Sequence, residues 1–395
     1  METPSRSASI RDRLNMHGSN RLQIGLFGAN CSSGRSATTV PERWSASWPD
    51  CLRLARMADE SSIDFMLPIA RWKGYGGDTD FHGATLESMN WATGLLASTT
   101  RITVFGTVHA PLFNPLIAAK EFVTADHIGE GRLGVNIVVG WNEGEFEMFG
   151  VRQRDHEARY EFAQEWLGVV KRAWSDEGEF DFEGRFLQLK GVRAYPKPYG
   201  GTRPILMNAG SSPTGRTFAL RNCDAFFTAT AGSRTSLEGN ARTVKEVKEE
   251  AQRYGREIAL YTVGQVICRP TQQEADDYFQ HAIIDCADWR AVEAMMALRN
   301  ITPHNLSPEE YAARRNYFAC NAIGGYPFVG TPDRVADELA AISEAGMRGI
   351  AVSFVNFLDE VPYFVAEVLP RLIRLGIRAP PRASGMGQIS ANAAH

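Results

Sequence analysis

The chain has 395 residues, 44% of them hydrophobic and 22% charged, a balance that supports a sizeable core and excludes wholesale disorder. Its net charge of -4 supplies no basic field to hold nucleic acid, and no run of about 18 apolar residues offers a membrane span. Six cysteines without a CxxC pair, eight histidines without HExxH or HxxxH spacing, and no signal pattern point to a reduced cytoplasmic compartment and to no metal site.

In chain order, a polar leader over residues 1–20, expected to be flexible, precedes a first strand at Leu22 to Phe27. Apolar positions at helical spacing follow from Trp48 to Glu60. Further strands read at Asp64 to Ile69, Ile102 to Thr107, Leu133 to Val139, Pro204 to Asn208, Ala225 to Thr228, Leu260 to Ile267 and Gly349 to Phe354. Helical patterns lie between them, at Leu86 to Ser98, Pro115 to Ile128, Arg159 to Trp174, Thr214 to Asn222, Leu237 to Tyr254, Gln272 to Ile284, Pro332 to Ala345 and Val361 to Leu375.

Eight strands alternating with helices predict a parallel sheet closed into a (β/α)8 barrel over residues 21–377. An open doubly wound sheet is the rival, but no strand is followed by GxGxxG. The glycine-rich piece Gly324 to Gly330 reads as a loop before a helix cap at Thr331-Pro332. Two excursions lengthen the barrel: a hairpin within 178–200, turning at Glu183-Gly184, and a mostly helical insertion over 285–330. The Pro, Ser, Gly and Ala content of residues 378–395 predicts a mobile tail.

Barrel chemistry sits at the C-terminal strand ends, and several polar residues fall there. Asn136 is the one polar side chain inside the apolar run Leu133 to Val139, so it either bonds neighbouring backbone or points at a ligand. The strand breaks at Gly140-Trp141 into a short loop, Asn142 to Glu145, before Arg159-Tyr160 opens a long helix. Ala70, Arg71 and Trp72 follow the second strand; Thr107 and His109 follow the third. After the fifth strand, Gly210, Ser211 and Ser212 precede a helix, which suits either a plain serine cap or a phosphate cradle of backbone N–H groups. Arg159 reads as a ligand contact or a solvated helix residue, His109 as a general acid or base in catalysis or a structural or exposed loop histidine, and Trp72 and Trp141 as pocket walls or core.

Four blocks in fixed order, YGGDTDFHGATLESM (Tyr75 to Met89), GRLGVNIVVGW, EFEMFG with HEARY, and PILMNAGSS, resemble the bacterial-luciferase-like superfamily of flavin-dependent monooxygenases. Within it the chain is similar to the subgroup holding the pyrimidine oxygenase of uracil catabolism and the dimethylsulfone and dibenzothiophene-sulfone monooxygenases. The resemblance runs from about Leu22 to Leu375.

It implies a two-component enzyme using reduced FMN from a separate NAD(P)H-dependent flavin reductase, with dioxygen as co-substrate. By position it carries flavin contacts onto Ala70, Arg71, Asn136, Glu145, Arg159, Tyr160 and Ser212, and a dioxygen-placing pair onto Thr107 and Asn136. The implied oxygenating species is a flavin peroxide or a nitrogen-5 oxide, acting on a small heterocyclic, amide, sulfone or aromatic substrate. A homodimer or dimer of dimers, paired through Glu87 to Ser98 and Pro115 to Ile128, is also implied. FGTVHAPLF (Phe105 to Phe113) departs from the pattern on the substrate side, so uracil is not assigned; Cys31, Trp72, His109, Trp141 and the insertion are read as pocket walls. The alternatives on the same barrel are deazaflavin-dependent hydride transfer and a flavin-binding protein without turnover.

Overall fold

The computed structural model describes residues 9–16, 18–229, 236–320 and 325–380. Strands β1 (Gln23–Phe27), β2 (Phe65–Leu67), β3 (Thr103–His109) and β4 (Leu133–Val138) pair in parallel in that order. An antiparallel hairpin, β5 (Phe180–Glu183) and β6 (Gln188–Val192), stands apart from them. Parallel pairing resumes with β7 (Ile205–Asn208), β8 (Ala225–Phe227) and β9 (Ala259–Cys268), and β11 (Gly349–Ser353) joins β9 to β1. The result is a closed eight-stranded (β/α)8 TIM barrel. These strands are buried on both faces, which is why they read as near-continuous apolar runs rather than alternating ones.

Inside the barrel, Phe65 meets Phe105 and Tyr261 edge to face, so aromatic rings fill the space beneath the strand ends. The helices α2 (Trp48–Glu60), α3 (Ser88–Leu96) and α4 (Pro115–Ile128) begin at Ser47, Glu87 and Asn114, whose side chains accept from first-turn N–H groups. After the short α5 (Glu143–Met148) comes α6 (His156–Ser175), where Glu165 accepts three N–H bonds from Arg185, Phe186 and Leu187 and so closes the hairpin turn onto the helix. The outer layer continues with α7 (Pro213–Asn222) and α8 (Leu237–Arg253).

The insertion begins beyond α9 (Gln272–Phe279) and its π-helical extension, and brings α10 (Trp289–Ala297) and α11 (Pro308–Cys320) over the barrel mouth. It has its own apolar cluster, including Met295, Met296 and Phe318, and is tied down where Asp288 accepts from the Thr79 backbone and hydroxyl at 2.8 and 2.7 Å. The chain then returns through α12 (Pro332–Glu344), α13 (Phe357–Tyr363) and α14 (Leu369–Arg374).

Three expectations need correction. Tyr326–Gly330 is not a loop but a strand, β10, paired in parallel with the upper half of β9 from Gly264 to Cys268; Gly324 lies outside the described residues. β9 is ten residues long while β8 is three, so backbone groups above β8 are left for a second partner. Part of the leader is packed: α1 (Ile10–Leu14) places Arg13 on the buried Asp126 at 2.6 Å, and Gln23 donates to the Leu14 carbonyl. At the other end Arg378 is buried against Asp64 at 2.5 Å and Ala379 donates to Asn20, so the tail does not start at 378; residues 381–395 lie outside the described ones.

Candidate active site

The loops after β2, β3, β4, β7 and β8 surround one cavity of about 450 Å3 at the C-terminal end of the barrel. Its walls include Ala70, Arg71, Thr107, His109, Asn136, Trp141, Arg159, Tyr160, Gly210, Ser211 and Ser212, so the tertiary structure brings together most of the residues singled out in the sequence. Cys31, Trp72 and Glu145 do not line it.

At one end, α7 starts at the cavity. Ser212 caps it by accepting from Gly215 N at 3.1 Å, Pro213 occupies the first turn, and Gly210 and Ser211 lead in. The Tyr160 ring from α6 reaches under this turn. A Cβ added to Gly215 would lie 2.4 Å from the Tyr160 hydroxyl, and one on Gly210 would lie 2.7 Å from it. Only glycine fits at both positions, which lets the Tyr160 ring pack directly against the start of α7. Arg159, one residue before, donates to the Gly140 carbonyl at 2.6 Å while its buried Nε meets no protein acceptor. Asn208 is structural: it bonds the Ile137 carbonyl at 2.6 Å and accepts from Gly210 N at 2.8 Å, fixing the end of β7 to β4.

At the other end stand Thr107 and Asn136, register partners across β3 and β4. Asn136 Nδ2 donates to Thr107 Oγ1 at 3.3 Å, and Thr107 Oγ1 donates its own proton to the Pro68 carbonyl at 2.7 Å. The hydroxyl proton is thus committed to the backbone. Asn136 Oδ1 is buried without a partner, a costly arrangement unless a ligand supplies a donor. The facing walls are apolar, with Phe27 and Phe227 5.5 Å apart and Val263 beside them.

Glu145 sits behind the cavity rather than in a loop: Glu143 to Met148 form α5, a correction to the loop read after Gly140. Its Oε1 accepts from Arg71 Nη1 at 3.0 Å and from the backbone N–H groups of Trp72 and Lys73 at 2.8 and 3.3 Å. This buried carboxylate holds the segment after β2 in place, so it supports the wall instead of touching what the wall encloses. Burial pulls His109 down to about 4, against the opposing pull of Glu145, so the imidazole is neutral at physiological pH. At 3.9 Å from Glu145 it makes no ion pair.

Cys31 is fully buried beside the interior barrel cluster, and burial pushes its thiol up to about 12, which makes it a packing residue. Trp72 packs edge to face on Phe149 and walls a smaller neighbouring chamber. Trp141 remains at the mouth, with the guanidinium of Arg71 at 5.6 Å and that of Arg299, from the insertion, at 4.5 Å. Sequence reasoning missed Arg299 and His156, both near the cavity. His156 precedes Tyr160 by one helical turn, a spacing that could have drawn attention to it.

A closed barrel whose strand-end loops enclose a cavity, with the start of α7 at one pole and a paired Asn and Thr at the other, defines a barrel enzyme acting on small molecules. The chain belongs to the luciferase-like monooxygenase family, whose model matches residues 22–349, and it is a monooxygenase. It is 28% identical over 355 residues to an FMNH2-dependent dimethylsulfone monooxygenase of Pseudomonas fluorescens (strain Pf0-1), covering 89% of this chain and 94% of that one. A pyrimidine monooxygenase, RutA, of Escherichia coli O127:H6 is also 28% identical, over 356 residues and 88% and 96% of the two chains. Among solved structures, a riboflavin lyase, RcaE, with modified FMN and riboflavin superposes with a TM-score of 0.79 at 23% identity, over 91% and 92% of the chains, and this shows the shared fold.

Proposed function

We propose that the chain is a two-component monooxygenase that binds reduced FMN, supplied by a separate NAD(P)H-dependent flavin reductase, and inserts one atom of dioxygen into a small heterocyclic, amide, sulfone or aromatic substrate. The observation that carries this reading is the polarity of the cavity. One pole offers the α7 N-terminus, Arg159 and the Tyr160 hydroxyl, which suit a phosphate, and the other offers the Thr107–Asn136 pair beside an apolar wall.

The residues present fit FMN on their own geometry. A volume of about 450 Å3 lies within the roughly 300–1,000 Å3 of small-molecule sites. Glycines at 210 and 215 let Tyr160 pack against the turn before α7, and Arg159 Nε and Asn136 Oδ1 are each buried with no protein partner. Gly210, Ser211, Ser212, Arg159 and Tyr160 would hold the phosphate; Ala70 and Asn136 would face the ring.

When bound, reduced FMN supplies the electrons that activate dioxygen. The chain's own share follows from its bonds. Thr107, anchored by the Pro68 carbonyl, accepts from Asn136 and fixes the amide plane, so Thr107 orients Asn136 rather than donating to oxygen itself. Asn136 keeps one amide N–H for charge that develops on oxygen, and its Oδ1 accepts a donor from the bound ring or substrate. Arg71, fixed by Glu145, and Trp141 close the side toward solvent. Phe27, Phe227 and Val263 give the substrate an apolar bed. Support for the fine assignment comes from the two relatives named FMNH2-dependent or pyrimidine monooxygenase. A homodimer or dimer of dimers and a cytoplasmic location belong to the same proposal.

The decisive experiment supplies purified protein with FMN, NADH and a generic flavin reductase under labelled dioxygen, against N-heterocycles, amides, sulfones and halogenated aromatics. Label in one product class is the expected result. Tight deazaflavin binding with hydride transfer, and no labelled product from any class, would replace the reading with the hydride-transfer alternative.

A further inference from the structure

Behind the partition formed by Ala70, Arg71, Thr107 and His109 lies a second chamber of about 40 Å3, closed on its far side by Trp72, Glu87, Ser88 and Phe113. Three of its wall residues carry buried polar atoms that meet no protein group: Trp72 Nε1, Arg71 Nε and His109 Nδ1. Arg71 and His109 are 9% and 5% exposed, so bulk water does not satisfy them. Two of these atoms are obligate donors and the third, on a neutral imidazole, is free to accept. A chamber this size holds a water molecule, and a buried water making about three hydrogen bonds is the usual answer to such a set.

We propose that this chamber is a buried water site that links Trp72 and Arg71 to His109 and serves as a proton inlet to the active-site cavity, separate from the cavity mouth. The water accepts from Trp72 Nε1–H and Arg71 Nε–H and donates to His109 Nδ1. His109 is thereby held as the Nε2–H tautomer, with the proton on the nitrogen that faces Glu145 Oε2. The half-buried Glu87 carboxylate, which caps α3, forms the outer end of the route. The groups facing His109 are Glu145 from α5 and Arg71 from the segment after β2, whose charges oppose each other, and burial keeps the imidazole neutral.

The need for such an inlet rests on the flavin reading. Oxygen transfer then balances as reduced flavin anion + O2 + substrate + H+ giving oxidised flavin + oxygenated substrate + H2O: dioxygen is reduced, flavin and substrate are oxidised, and one proton must arrive from outside. With substrate filling the mouth, the chamber walled by Glu87, Arg71 and His109 offers a polar route apart from it.

The test separates the two readings. In flavin-free protein labelled with 15N-histidine, His109, assigned with His109→Gln, is expected to show an accepting Nδ1 and a protonated Nε2. Trp72→Phe, which keeps the ring and deletes the donor, is expected to move the Nδ1 signal, and a high-resolution crystal structure to show water in the chamber. A protonated Nδ1, or a dry chamber, overturns the proposal whether or not FMN binds. With reduced FMN loaded, Trp72→Phe and Glu87→Gln are each expected to slow product formation about threefold to tenfold and to raise the D2O effect, with unchanged FMN affinity. An unaltered rate and isotope effect in both variants overturns the inlet role. Failure of wild-type protein to bind reduced FMN overturns the flavin reading and with it that role.

Discussion

The guanidinium of Arg71 donates to Glu145 Oε1 at 3.0 Å with both side chains almost wholly out of water, and this pair fixes the wall on which the candidate site is built. A buried carboxylate left without its cation, or the reverse, is far more costly than either arrangement with both or neither. Glu145→Ala is therefore expected to destabilise the fold by about 3–5 kcal/mol, and Arg71→Met with Glu145→Leu to recover part of that loss. Recovery stays partial because Glu145 also accepts from the Trp72 and Lys73 backbone. Urea titrations of wild type and the two variants decide it: a double variant no more stable than Glu145→Ala contradicts the account.

At the start of α7, where the proposal puts the phosphate, Gly215→Ala places a methyl 2.4 Å from the Tyr160 hydroxyl. Overpacking of this kind costs about 1–3 kcal/mol, and expressed in binding it weakens FMN roughly tenfold to a hundredfold. Adding Tyr160→Phe removes the clashing oxygen together with a hydroxyl assigned to the phosphate, so the double variant is expected to stay below wild-type affinity. Fluorescence titration with FMN reads both steps. Wild-type affinity in Gly215→Ala would mean that the cofactor does not use this turn.

For Thr107 the hydrogen-bond direction makes a sharper prediction than the residue type alone. Thr107→Ser keeps both bonds and is expected to stay within about threefold of wild type, whereas Thr107→Val frees the Asn136 amide and is expected to cost about tenfold to a hundredfold in coupled oxygenation. FMN affinity should change little in either. Equal losses in the two variants would place the contribution of Thr107 in packing.

Acid stability follows from two buried histidines. Burial pulls His82 down to about 3 and His109 to about 4, from an ordinary value of 6.5. As pH falls the unfolded chain takes up protons first, so the stability is intact above about 6.5 and is lost progressively below it. Each unit of separation corresponds to about 1.4 kcal/mol, so the two imidazoles together withdraw several kcal/mol by pH 4. Urea midpoints from pH 7.5 to 4.5 should fall, and His109→Gln should flatten the slope. A slope unchanged in that variant would mean His109 is already solvated.

The barrel was legible because a fully buried parallel strand needs an unbroken apolar run, and eight such runs alternating with amphipathic helices leave few other architectures. Asn136 stood out for the same reason, as a polar residue in a run that should carry none. Strand β10 escaped because its sequence, Tyr-Pro-Phe-Val-Gly between glycines, carries turn signals, and its pairing depends on the length by which β9 overshoots β8. The leader and the start of the tail looked polar and loose, yet Arg13 and Arg378 find the buried carboxylates of Asp126 and Asp64 more than a hundred residues away.

The chain's composition and periodicity thus determined the barrel, the strand ends where chemistry gathers and the polar residues that fall there. Only the tertiary structure decided which of those residues share a cavity, that Glu145 braces Arg71 from behind, and that the Thr107 hydroxyl is spent on the Pro68 carbonyl. The physical reason is that local pattern fixes which side of an element is buried, whereas the partner of a buried polar atom is set by elements distant in sequence whose approach no local pattern encodes.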